Sequence, residues 1–207
     1  MPLLNYNDLE DILRAYPGGV SVRLAVRVGS QVYGTATPES DTDFVVVGLE
    51  GKESDLLFGR DYNVTLWSNE KFHRLLDEHN VLAFEVASAP PDHILKSDPA
   101  AKILSTVLWS QIATSAFDTT SAVGKSTSDW KKGLKLMGYE TGKAKKKLWH
   151  SLRVPLFAQQ LVRGHITDFT VANGLFEEIM TDPSEDPEHY RAHYGPVRDE
   201  ILMSLVS

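Results

Sequence analysis

Apolar positions alternate through residues 21–28 (SVRLAVRV), with Val22, Leu24, Val26 and Val28 on one face, and this period predicts a strand. Gly29-Ser30 ends it. Residues 43–48 (DFVVVG) and 62–67 (YNVTLW) carry short apolar runs that read as two further strands. Residues 7–16 (NDLEDILRAY) predict a short helix closed by Pro17-Gly18-Gly19. Residues 69–79 predict an amphipathic helix that packs Phe72, Leu75 and Leu76, and Pro90-Pro91 ends the segment after it.

From Asp98 onward the strand-like pattern stops. Residues 99–116, 121–138, 141–163, 170–180 and 187–206 all read as helices. Pro155 is expected to break or kink the long one, because it lacks an N–H and crowds the preceding turn. The expected fold class is therefore α+β. A small mixed sheet with helices occupies residues 1–97, and an all-helical part occupies 98–207.

Composition narrows the classes. With 207 residues and 42% hydrophobic side chains the chain buries a real core. No apolar run of about 18 residues is present, so no membrane span or membrane partner is expected. The start, MPLLNYNDLEDILRAY, lacks the basic region of a secretory leader. The absence of cysteine excludes disulfides, thiolate metal sites and cysteine nucleophiles, and suits a cytoplasmic location. The net charge of -7 hides a split. Residues 125–163 hold ten Lys or Arg against Asp129 and Glu140, a local +8, while the remainder carries -15. Such a block is either a solvated helix face or a partner for phosphate.

One stretch carries chemistry: residues 29–44, GSQVYGTATPESDTDF. Gly29 lets the backbone turn and approach a ligand closely, having no Cβ. If Gln31 onward makes a helical turn, its free N–H groups point back at Gly29-Ser30 and suit phosphate oxygens. Asp41 and Asp43, at i and i+2, share one face of the next strand. Two carboxylates so placed repel unless a cation joins them, and oxygen ligands of this kind suit Mg²⁺. Either feature alone is commonplace; the order and spacing between two apolar strands is not.

This stretch resembles the signature of the nucleotidyltransferase superfamily related to DNA polymerase β. Within it, the pattern is similar to a branch found in phages and in bacterial RNA-repair gene clusters, which reads roughly GSxxxGxxxPxSDxD. Gly34, Pro38 and Ser40 fit that pattern, as do Asn80, Glu85 and Pro90 in the segment from Lys71. His150-Ser151-Leu152-Arg153 and Arg163-Gly164-His165-Ile166 resemble its C-terminal basic helix and the stretch after it. The resemblance implies a nucleotidyltransferase core that moves a nucleoside monophosphate from an NTP, ATP among them, to a hydroxyl and releases pyrophosphate. It implies Mg²⁺ or Mn²⁺ on Asp41 and Asp43, with Gly29 and Ser30 holding the triphosphate. The acceptor class left open includes an RNA or tRNA end, a protein or a small molecule.

One position departs from the family. A third acidic residue is expected on a following strand, and Asn63 stands there. An amide offers a carbonyl oxygen but no charge. Asp61, two residues earlier, is the alternative metal ligand. A catalytically weakened nucleotide- or nucleic-acid-binding module of the same fold is therefore the second reading. On a helix, Lys146, His150 and Arg153 fall at i, i+4 and i+7, and this face is the candidate for contacts with phosphates.

Two other patterns are set aside. Gly124-Lys125-Ser126-Thr127 looks like the end of a phosphate-binding loop, but the required earlier glycine is Thr119 and no strand precedes it. His189 and His193 are i, i+4 on an acidic helix and read as a surface pair rather than a zinc site. Glu85 lies among apolar residues and needs a partner if buried.

Overall fold

The computed structural model describes residues 6–17, 19–48, 52–98, 117–164 and 168–206. The chain divides into two compact units, Met1–Gln111 and Ile112–Ser207. The helix expected at 99–116 lies outside the described residues.

The first unit is built on a five-stranded sheet: β1 (Leu24–Val28), β2 (Thr42–Val47), β3 (Ser54–Phe58), β4 (Tyr62–Trp67) and β5 (Ile94–Ser97), in the order β3-β4-β2-β1-β5. β2 and β4 run parallel, and every other neighbouring pair is antiparallel, so the sheet is mixed. Alternation sends Phe44, Val46, Val64, Leu66 and Ala25 to one face, where Leu9 and Leu13 of α1 (Tyr6–Arg14) cover them. The other face carries Val45 and Val47, both buried, and meets α2 (Ser30–Tyr33) and α4 (Val81–Ala87). Between them in sequence lies α3 (Asn69–Asp77), whose Phe72 stacks on Trp67 with ring centroids 6.1 Å apart. Ser68 caps α3 by accepting from Lys71 N–H, and Asn80 caps α4 by accepting from Leu82 and Ala83 N–H.

Strands β1, β2 and β4 fall where the sequence puts them. β3 and β5 are additions. β3 is an edge strand whose Leu56 and Phe58 face solvent while Asp55 is half-buried against the Tyr16 hydroxyl at 2.7 Å. That inverts the usual polar-out pattern and hides the strand from a periodicity reading.

The described residues of the second unit are helical: α5 (Thr120–Leu136), α6 (Thr141–Val162), α7 (Asn173–Thr181) and α8 (Pro187–Val206). α6 packs against each of the other three and buries Leu148, Leu152, Phe157 and Leu161. The expectation that Pro155 breaks this helix is corrected: α6 runs unbroken through it. Pro155 leaves the Ser151 carbonyl without its intrahelical donor. The Ser126 hydroxyl of α5 donates to that carbonyl at 2.6 Å, in a site where both serines are fully buried. A tertiary hydrogen bond thus replaces the local one, and the helix continues.

Candidate active site

The start of β2 and the start of β4 lie side by side because the two strands are parallel. The register sets Asp43 against Asn63 on one side and against Val28, the last residue of β1, on the other. Asp43 is therefore flanked by Asn63 and by the turn that leaves β1. The Asn63 side-chain amide donates to Asp43 Oδ1 at 2.9 Å and to Asp41 Oδ2 at 3.4 Å. Three residues separated by up to 22 positions in sequence thus converge on one face of the sheet.

Gly29 lies against Asp43. Its φ of 73° lies in the left-handed region, and a Cβ built on it would stand 2.5 Å from Asp43 Oδ2. Any side chain would push into the carboxylate, so glycine here serves both the turn and the space beside Asp43. Val32 and Tyr33 N–H groups both return to the Gly29 carbonyl, which winds residues 30–33 into one helical turn. The N–H groups of Ser30 and Gln31 lie ahead of the first intrahelical bond, as at any helix start. Behind the turn, Tyr33 Oη donates to the buried Glu85 at 2.7 Å, which gives Glu85 the partner its setting requires and ties the turn to α4.

Burial holds the Asp43 carboxyl above its ordinary pKa. The Asn63 hydrogen bond opposes that shift and the Asp41 charge adds to it. The Asn63 amide N–H₂ bridges the two carboxylates. Among the described residues no three histidine, cysteine or carboxylate groups cluster closely enough to hold a metal. The donor set is two carboxylates and an amide, and it fits a magnesium ion that takes its remaining ligands from substrate phosphates and water. Asp61 enters through its backbone carbonyl, which accepts from Thr42 N–H at 3.0 Å, just before β4.

A profile of the RNA repair pathway DNA polymerase beta family matches residues 4–185. The chain belongs to that family. No curated protein matches it. Among solved structures, a nucleotidyltransferase-like protein from Exiguobacterium sibiricum 255-15 is 16% identical, with 97% of this chain and 70% of that chain covered and a TM-score of 0.38. The α+β class with its mixed sheet and helical C-terminal region agrees with membership of a polymerase beta family.

The remaining sequence candidates lie in the second unit, on α6. Lys146 is exposed, His150 is partly covered and Arg153 is 2% exposed, so the three do not share one solvated face. The Arg153 guanidinium lies over the Trp149 ring, 5.8 Å from its centroid. Burial, helped by the Arg153 charge and resisted by Asp129, pushes the His150 pKa down to about 3. Asp129, 1% exposed, pairs with Lys125 Nζ at 2.5 Å and Lys147 Nζ at 3.2 Å. Burial raises its pKa, but the two lysines outweigh it and the net shift is downward. Part of the basic block is thus internal counter-charge. His189 Nε2 sits 2.7 Å from Asp182 Oδ2. Among the described residues no helix is long and apolar enough to cross a membrane.

Proposed function

We propose that the chain transfers a nucleoside monophosphate from an NTP to the hydroxyl of an RNA or tRNA end. The acceptor oxygen bonds to the α-phosphorus, the bond from that phosphorus to the bridging oxygen of the β-phosphate breaks, and pyrophosphate leaves. The acceptor proton is released to solvent. What supports the reading is the convergence of Asp41, Asp43 and Asn63 beside the Gly29-Ser30 turn, in a chain of an RNA-repair polymerase beta family.

In this reading Gly29 and Ser30 present backbone N–H groups to the triphosphate, at a turn that the missing Cβ of Gly29 lets lie close against Asp43. Asp41 and Asp43 would hold Mg²⁺ or Mn²⁺, and Asn63 would stand at the third-ligand position, with Asp61 the carboxylate nearest to it in sequence. A divalent ion held there would supply charge to neutralise the triphosphate and lower the pKa of the attacking hydroxyl. The Asn63 amide must turn to present its carbonyl oxygen to a cation, because its N–H₂ now faces the carboxylates. Within the helical unit, exposed Lys146 remains the candidate for phosphate contact, while Arg153 is buried and His150 partly covered. A cytoplasmic setting follows from the same reading, where NTP and RNA are both at hand.

The amide bridging both carboxylates favours one second reading, a weakened member that binds NTP without turning it over. Pyrophosphate release with Mg²⁺ or Mn²⁺ separates the two. The wild type should release pyrophosphate, and Asp41→Ala and Asp43→Ala should not. NTP binding without release in the wild type would favour the second reading.

A further inference from the structure

Beside the carboxylates, on the same sheet face, lies a side chain that the folding of the sheet leaves uncovered. β3 pairs antiparallel with β4, and Phe58 stands directly across from Asn63. Cross-strand partners share a face and lie about 5 Å apart, so Phe58 extends the row Asp43–Asn63 outward by one strand. Phe58 is 71% exposed, and Leu56, two residues along on the same face, is 54% exposed. The opposite face of β3 is ordinary core, with Leu57 packed against the α1 layer and Asp55 bonded to Tyr16.

The turn that follows fixes this arrangement. Gly59 N–H donates to the Tyr62 carbonyl at 2.9 Å, and a Cβ on Gly59 would overlap the Tyr62 ring at 2.1 Å. Exposed Arg60 lies in this turn, two residues after Phe58 and three before Asn63 in the chain. Among the described residues Arg60 has no ion-pair partner. An exposed aromatic ring on an edge strand is a liability for solubility and pairing, which a fold keeps down where nothing is gained from it.

We infer that Phe58 is a stacking platform for the terminal base of a single-stranded nucleic acid acceptor, with Arg60 on the adjoining phosphate. This inference rests on the nucleotidyltransferase reading, since it places the acceptor's hydroxyl at Asp41, Asp43 and Asn63. The hydroxyl and base of one nucleotide are separated by a single ribose, which matches the one-strand offset between Asn63 and Phe58. A flat base has a π-face whatever its identity, so the platform accepts any terminal base. A duplex end, whose bases are already stacked on their neighbours, gains less from it. Arg60 contributes a charge-assisted contact that weakens with salt.

The test uses a short single-stranded oligoribonucleotide ending in 2-aminopurine, whose fluorescence reports stacking. With the full chain, binding should change that fluorescence. Phe58→Ala should weaken affinity by about ten-fold or more and abolish the fluorescence change. Phe58→Tyr and Phe58→Trp should restore both. Phe58→Leu, equally apolar but not aromatic, should not restore the fluorescence change. Tyr139→Ala, which removes an 89% exposed ring elsewhere, should match the wild type. Affinity unaltered by Phe58→Ala, or full rescue by Phe58→Leu, would overturn the inference. So would self-association of the wild type that Phe58→Ala abolishes with oligonucleotide affinity intact, since the strand would then serve a second copy of the chain. Failure of the wild type to release pyrophosphate, with Phe58-dependent stacking intact, would strike the activity reading and leave the platform standing.

Discussion

Asn63→Asp puts the proposed chemistry and the geometry to one test. In the structure the amide donates to two carboxylates, at 2.9 Å and 3.4 Å. The substitution removes both bonds and adds a third negative charge to the same face. Hydrogen bonds to charged groups contribute about 1.5–3 kcal/mol each in favourable geometry, and the longer one here contributes less. Two charges about 4 Å apart repel by roughly 4 kcal/mol at an effective dielectric of about 20, an upper bound that exposure of Asp41 reduces. Without metal the variant should therefore lose about 2–4 kcal/mol of stability. At about 2–4 °C per kcal/mol for a chain of this size, Tm should fall by roughly 5–15 °C. Saturating Mg²⁺ or Mn²⁺ should reverse much of this, because a cation at about a hundred times its Kd stabilises by about 2.7 kcal/mol. The wild type should gain less from metal. Turnover should rise, by up to about 10²–10³, with little change in NTP affinity, since the added charge acts on the developing alkoxide. Thermal denaturation in EDTA and in metal, followed by pyrophosphate release, measures all three. A variant as stable as the wild type in EDTA, or one that gains no more from metal, would refute the reasoning. A slower variant, with Asp61→Ala inactive, would move the third-ligand role to Asp61.

Two predictions concern the helical unit. Ser126→Ala should cost about 1–3 kcal/mol by orphaning the buried Ser151 carbonyl, and adding Pro155→Ala should recover part of that, because an alanine N–H can take the Ser126 hydroxyl's place; a double variant no more stable than Ser126→Ala would contradict this. His150, with a folded pKa of about 3 against 6.5 when unfolded, binds fewer protons folded than unfolded between those values. Its contribution is intact above about pH 6.5 and is lost as pH falls towards 3, by up to about 1.4 kcal/mol per pH unit. His150→Gln should flatten the denaturation midpoint across that window.

The parts of the fold written in local pattern were legible. β1, β2 and β4 stand out as apolar runs, and the Gly29-Ser30 turn with Asp41 and Asp43 stands out by spacing. What was not legible depends on partners distant in sequence. β3 hides because Leu56 and Phe58 face out while Asp55 is held inward by Tyr16, which reverses the hydrophobic alternation. β5 is four residues long and follows Pro90-Pro91 and a single turn of 3₁₀ helix. Pro155 looked like a helix breaker because its rescuer, Ser126, lies on another helix. Helical spacing put Lys146, His150 and Arg153 on one side of α6 but carried no information on depth. Packing around α6 buries Arg153 and leaves Lys146 in solvent. The link between Tyr33 and Glu85 spans 52 positions, and its only sequence signal was an acid among apolar neighbours.

The most direct test of the central claim follows the label in NTP carrying it on either the α- or the γ-phosphate. The full chain is incubated with each NTP, single-stranded RNA and Mg²⁺ or Mn²⁺, and the RNA is then isolated. Nucleotidyl transfer at Asp41 and Asp43 predicts that α-label appears on the RNA, that γ-label leaves as pyrophosphate, and that Asp43→Asn abolishes the transfer. Label arriving from the γ-phosphate, or α-label transfer undiminished in Asp43→Asn, would contradict the account.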